Sequence, residues 1–124
     1  MKKIILLLVF LNFACSGDDD VADDVNCTEE ARAGLMVLVK DAISGVELTE
    51  GVTVTATDGS YVEELTNFPE FSNEFTGAYE RAGTYILTVT KEGYVTHTSE
   101  PIVVGEDECH VIGEHVTIEI YGQD

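Results

Sequence analysis

Three cysteines and three histidines are the side chains of this 124-residue chain best suited to covalent or acid–base chemistry: Cys15, Cys27, Cys109, His97, His110 and His115. A nucleophilic site needs a Ser, Cys or Thr beside a base. No GxSxG, HExxH, P-loop or dinucleotide-binding glycine pattern accompanies the histidines. The sequence therefore assigns no catalytic residue and calls for no cofactor. Carboxylates are so abundant that some pair meets by chance, and spacing alone cannot single out an acid–base couple. A metal site from Cys109, His110 and His115 is a rival use of those side chains. In one continuous strand His110 and His115, five apart, would face opposite ways, which weighs against a shared metal.

Charge narrows the function classes. There are 6 Lys+Arg against 24 Asp+Glu. Such a chain is repelled by phosphate backbones and by anionic lipid surfaces. Nucleic acid is excluded as a partner, and basic residues cannot hold the protein to a membrane. Any membrane attachment has to be covalent.

The N-terminus supplies a candidate for that attachment. Lys2 and Lys3 precede a ten-residue run, residues 4–13 (IILLLVFLNF), apolar except for Asn12. A spanning helix needs roughly 20 apolar residues, so the run suits a signal h-region instead. Ala14, Cys15 and then Ser16-Gly17-Asp18-Asp19-Asp20 follow. This stretch resembles a lipobox, with the small Ala14 before the modified cysteine and Asn12 where an aliphatic residue is usual. The Cys-Ser-acidic order also resembles the surface-export tether of Bacteroidota lipoproteins. The resemblance implies that residues 1–14 are removed, that Cys15 carries acyl chains, and that the protein sits on the outer membrane, facing outward. Burial of each CH₂ contributes about 0.8 kcal/mol and stable anchoring needs about two chains, a condition a diacylglyceryl group meets unaided. The rival reading is plain secretion with Cys15 incidental. After removal of the signal, four cations would face 24 carboxylates, a formal charge of −20.

Residues 15–27 read as an acidic tether. Five Asp fall within residues 18–24 (DDDVADD), too little apolar surface to order a segment. The run lacks the glycine and spaced ligands of a preformed Ca²⁺ loop. With Cys15 assigned to lipid, Cys27 and Cys109 remain, an even pair in an exported protein. A disulfide is the economical reading. It would join residues just ahead of the first and last strands.

Residues 28–124 read as one all-β domain. Residues 34–40 (GLMVLVK) form a continuous apolar run, the pattern of a central strand covered on both faces. Val52, Val54 and Ala56 alternate with threonines, and Asp58-Gly59 follows as a hairpin turn. Tyr85, Leu87 and Val89 share one strand face, as do Val116, Ile118 and Ile120. Pro101 marks residues 95–104 as edge segments. No segment has helical periodicity. About seven short strands with these turns predict an Ig-like or transthyretin-like β-sandwich.

Residues 39–45 (VKDAISG), 51–61 (GVTVTATDGSY) and 83–94 (GTYILTVTKEGY) also resemble the carboxypeptidase regulatory-like domain. That likeness implies a transthyretin-like sandwich serving as a non-catalytic accessory module. The wider fold includes 5-hydroxyisourate hydrolases, which end in Tyr-Arg-Gly-Ser. This chain ends Tyr121-Gly122-Gln123-Asp124, without that arginine, so the likeness does not carry that activity over.

Residues 67–79 (NFPEFSNEFTGAY) remain. Phe68, Phe71, Phe75 and Tyr79 fall within thirteen residues. On a loop they could stack on a sugar or on a protein; in a domain without Trp they could instead fill the core. The sequence thus predicts a lipid-anchored module that docks to an envelope protein, with a glycan- or ligand-binding module as the alternative.

Overall fold

A computed structural model describes residues 26–123 of the chain. Cys15, the signal segment 1–14 and nearly all of the tether lie outside the described residues. The described part is all-β. Ten strands form two packed sheets: β1 (Leu35–Asp41), β2 (Thr53–Asp58), β3 (Tyr61–Glu64), β4 (Thr66–Asn67), β5 (Phe75–Gly77), β6 (Gly83–Thr90), β7 (His97–Thr98), β8 (Ile102–Glu106), β9 (Val111–Ile112) and β10 (Glu114–Ile120). One sheet runs β10-β1-β5-β4; the other runs β3-β2-β6-β8-β9, with β7 also on β6. The count exceeds seven because several strands are broken into pieces of two or three residues.

Side-chain alternation decides which face turns inward. Leu35, Val37 and Val39 of β1 meet Val54 and Ala56 of β2, Tyr85, Leu87 and Val89 of β6, and Ile118 and Ile120 of β10 in one buried core. Burial of each Val, Leu or Ile contributes roughly 1.5–3 kcal/mol. Tyr85 is wholly buried, and its hydroxyl is satisfied by the Arg81 carbonyl, 2.8 Å, and the Arg81 guanidinium, 2.9 Å. Arg81 also stacks over the Tyr61 ring, 3.7 Å from its centroid, and pairs with Asp58 at 3.0 Å.

Three sequence expectations need correction. The apolar run of β1 is central in its sheet, but only its odd-numbered face is fully buried; Met36 and Leu38 are half-covered. The hairpin turn is centred on Gly59-Ser60, because Asp58 pairs with Tyr61 as the last residue of the ladder. Gly59 there has φ +61°, the glycine-first pattern that suits a tight hairpin. Cys109 precedes β9 rather than the last strand. Pro101 does interrupt pairing: β7 and β8 lie on either side of it and both pair with β6.

The sheets connect at both lateral edges. β3 passes through buried Leu65 into β4, and β9 passes through Gly113 into β10. The first and last long strands, β1 and β10, pair in parallel from Leu35↔Glu114 to Asp41↔Ile120. Strand β1 therefore defines an axis about 20 Å long, at about 3.3 Å per residue. Its Leu35 end, which residues 26–33 lead into, is the tether pole, after the tether expected ahead of them. Its Asp41 end is the distal pole.

Candidate functional site

At the tether pole Cys27 and Cys109 are joined by a disulfide, with Cα atoms 5.1 Å apart. The bond fastens a strandless strap, residues 26–33, to the turn before β9. Asp107 shapes that turn: its Oδ1 accepts the Cys109 and His110 backbone N–H groups at 2.8 and 2.9 Å. Those two bonds hold the Asp107 carboxyl below its usual range.

A second fastening lies beside the first. His110, the one buried polar or charged residue among the described residues, has Nδ1 2.6 Å from Glu80 Oε2 and Nε2 2.9 Å from the Thr28 hydroxyl. Glu80 also accepts the N–H groups of Arg32, 2.9 Å, and Val111, 3.2 Å. The His110 bond, ahead of the backbone bonds, holds the Glu80 carboxyl low. Glu80 sits at φ +51° and Ala78 at φ +54°, a left-handed conformation that carries strain for residues with a Cβ. The surrounding bonds fix it: Glu80 N–H donates to Arg32 O, and Ala78 N–H donates to Glu63.

Thr28, His110 and Glu80 fall in the order hydroxyl, imidazole, carboxylate, the order of an activated nucleophile. Their surroundings oppose that chemistry. The adjoining open cleft is lined by Glu29, Glu30, Glu106, Asp107 and Glu108 as well as Glu80. A developing oxyanion there would meet carboxylates where donors are required. The nearby N–H groups of Cys109 and His110 already serve Asp107. The Thr28 hydroxyl and then the Arg32 guanidinium hold the Glu30 carboxyl down at about 2, so a further negative charge sits beside this hydroxyl. The relay clamps the strap.

The rival metal trio is dispersed. Cys109 is in the disulfide, His110 is on Glu80, and His115 Nδ1 lies 3.1 Å from Glu74. Sequence reasoning singled out His110 but missed Thr28 and Glu80, whose partners lie 82 and 30 residues away.

The four aromatics separate. Phe75 is 4 % exposed and belongs to the core. Phe68, Phe71 and Tyr79 are 46 %, 83 % and 47 % exposed. Tyr79 lies towards the tether pole between the two left-handed residues, its hydroxyl on Thr76 at 3.1 Å. Phe68 and Phe71 lie on the β4–β5 loop, which runs on from the Asn67↔Phe75 pair towards the distal pole.

That loop is braced from within. Phe68 O accepts the Phe71 and Ser72 N–H groups at 2.9 and 3.1 Å. Asn67 Nδ2 donates to the carbonyls of Ser72 and Glu74. Asn73 Nδ2 donates to Glu47 at 2.7 Å, joining the loop to the β1–β2 turn. Asp41 shapes that turn, accepting the Ile43 and Ser44 N–H groups on Oδ1 and the Tyr94 hydroxyl on Oδ2. The Tyr94 hydroxyl first, then the two backbone N–H groups, lower the Asp41 carboxyl to about 2. Ordered loops that expose large aromatic rings offer pre-organised contact area for a partner.

Comparison with protein-family models finds no matching family, and comparison with curated proteins finds no matching relative.

Proposed function

We propose that this protein is a non-catalytic lipoprotein of the outer membrane, anchored through Cys15, whose β-sandwich docks to another envelope protein. One observation carries the docking: Phe68 and Phe71 stand exposed on a loop held rigid by its own hydrogen bonds. Little ordering entropy is left to lose on binding. The lipid anchor rests on the lipobox resemblance around Cys15 and on a charge balance that leaves no basic surface for anionic headgroups. The carboxypeptidase regulatory-like reading rests on residues 39–45, 51–61 and 83–94. Those segments supply the β1–β2 turn, the β2–β3 hairpin and strand β6, which suits an accessory module.

A protein partner fits this loop better than a glycan. Amide groups beside a stacking ring are common sugar contacts, and here both donors of Asn67 go to Ser72 and Glu74 while Asn73 is tied to Glu47.

Two variants in cells that make the protein test the proposal. Mass spectrometry of the processed protein should find a diacylated Cys15, and Cys15→Ser should leave the membrane fraction. Phe68→Ala/Phe71→Ala should keep the parent melting temperature and lose cross-linking to envelope proteins. A bare thiol at Cys15 overturns the anchor. Undiminished cross-linking overturns the docking loop. Retention on polysaccharide that depends on the two phenylalanines points to the glycan alternative.

A further inference from the structure

The turn joined to the Phe68–Phe71 loop also exposes large apolar side chains. Ile43 is 83 % exposed and Val46 57 %. Their turn is as firmly set as the aromatic loop: Asp41 caps it, the Ser44 hydroxyl accepts the Val46 N–H, and the Gly45 N–H closes onto Asp41 O. The Asn73–Glu47 bond joins the two loops directly. Four large apolar side chains on two mutually tied loops make a docking patch.

Glu47, Glu50, Glu70 and Glu74 belong to these loops and their flanks. Two cations lie nearby, Lys40 across from Glu47 and Lys91 donating to the Glu50 carbonyl at 2.6 Å, and Glu74 meets His115. Four carboxylates against two ammonium groups leave the surroundings of the patch net acidic, on a strongly anionic chain. Charge complementarity then asks for basic residues on the partner. A second copy would bring like charge to the same rim. Strand addition would use the outer edge of β10, the one long edge strand among the described residues, which lies at the opposite end of its sheet from the β4–β5 loop and so leaves the exposed phenylalanines unused.

Resting on the docking reading above, we infer that residues 42–47 and 68–74 form one two-loop docking face, and that its occupant is a folded protein presenting an apolar pocket rimmed by Lys and Arg.

The test is photocross-linking in intact cells with the full-length protein carrying benzoylphenylalanine at position 43, 71 or 103. Val103 is 64 % exposed and lies across from Thr84, away from the distal pole, so it serves as the control. The expected result is one and the same polypeptide captured from positions 43 and 71 and not from 103. Mapped peptides should contain apolar residues flanked by Lys or Arg, and the yield should fall several-fold in high salt. Capture from 71 but not 43 overturns the two-loop face while leaving the docking reading intact. Capture from neither overturns both. Capture of a second copy, or a yield indifferent to salt, overturns the stated partner. Melting temperatures of the three substituted proteins should match the parent, since all three positions are exposed.

Discussion

The same local device sets the decisive turn at each pole of the sandwich, with opposite results. Asp41 accepts the N–H groups two and three residues on, at Ile43 and Ser44. Asp107 does the same for Cys109 and His110. At the tether pole the turn's side chains are drawn into distant partners: Cys109 to Cys27, and His110 to Glu80 and Thr28. At the distal pole the turn is held through its cap by Tyr94, through Ala42 by the Ile120 carbonyl and through Glu47 by Asn73, while its apolar side chains Ile43 and Val46 stay exposed. A turn of this kind fixes where side chains project. Whether they meet protein or solvent is decided by segments far away in sequence. One pole is thereby cross-linked through its side chains, and the other leaves its apolar side chains exposed.

The strongest way to break this contrast is to remove the disulfide. Cys27 and Cys109 are separated by 82 positions, for which loop-closure entropy gives an upper figure of about 4.5 kcal/mol. The Cys27→Ser/Cys109→Ser variant should therefore lose much of the domain's net stability in urea denaturation. In native-state amide exchange, protection should fall at residues 28–34 well before residues 42–47. Equal loosening of both loops would show that the poles are not independently held.

Next in size is a pair of phenylalanines on one segment. Phe75→Ala should cost about 3–5 kcal/mol, as a core aromatic does. Phe71→Ala should stay within about 0.5 kcal/mol, as an exposed residue does. Thermal melts of the two variants check this, and a large loss from Phe71→Ala would move that ring into the core.

Acid gives the smallest and most even effect. Glu80 and Asp107 at the tether pole and Asp41 at the distal pole all have lowered carboxyl pKa values, Asp41 at about 2 from an ordinary 3.8. A carboxyl depressed in the folded state contributes stability that is present above its unfolded pKa and lost as pH falls through its folded one. Stability should thus be flat in these groups above about pH 5 and decline from about pH 4 towards pH 2. Asp41→Asn should shallow that decline and raise amide exchange at residues 42–47 while sparing residues 28–34. A decline unchanged by Asp41→Asn would remove the Asp41 cap from the account.

Much of the architecture was legible along the chain. Alternation marked Val52, Val54, Ala56, Tyr85, Leu87, Val89, Val116, Ile118 and Ile120 as inward-facing; Val52 and Val116 are partly buried against the core and the other seven are buried. The pairing of Cys27 with Cys109 could be read because, once Cys15 was set aside, only two cysteines remained. The aromatic segment was not resolved. Phe68, Phe71, Phe75 and Tyr79 are alike in residue type, and only the register of β5 on β1 turns Phe75 inward. The strap clamp left no local signal, since Glu80 is one carboxylate among 24 and Thr28 is an ordinary threonine.

By itself the sequence determined the class of fold, the inward faces of its long strands and the strong negative charge. Those depend on residue type and short-range period. Tertiary structure alone decided that the first and last long strands pair in parallel, that His110 meets Glu80, and which aromatics stay outside. Each depends on segments distant in sequence converging, and hydrophobic period does not encode which segments meet.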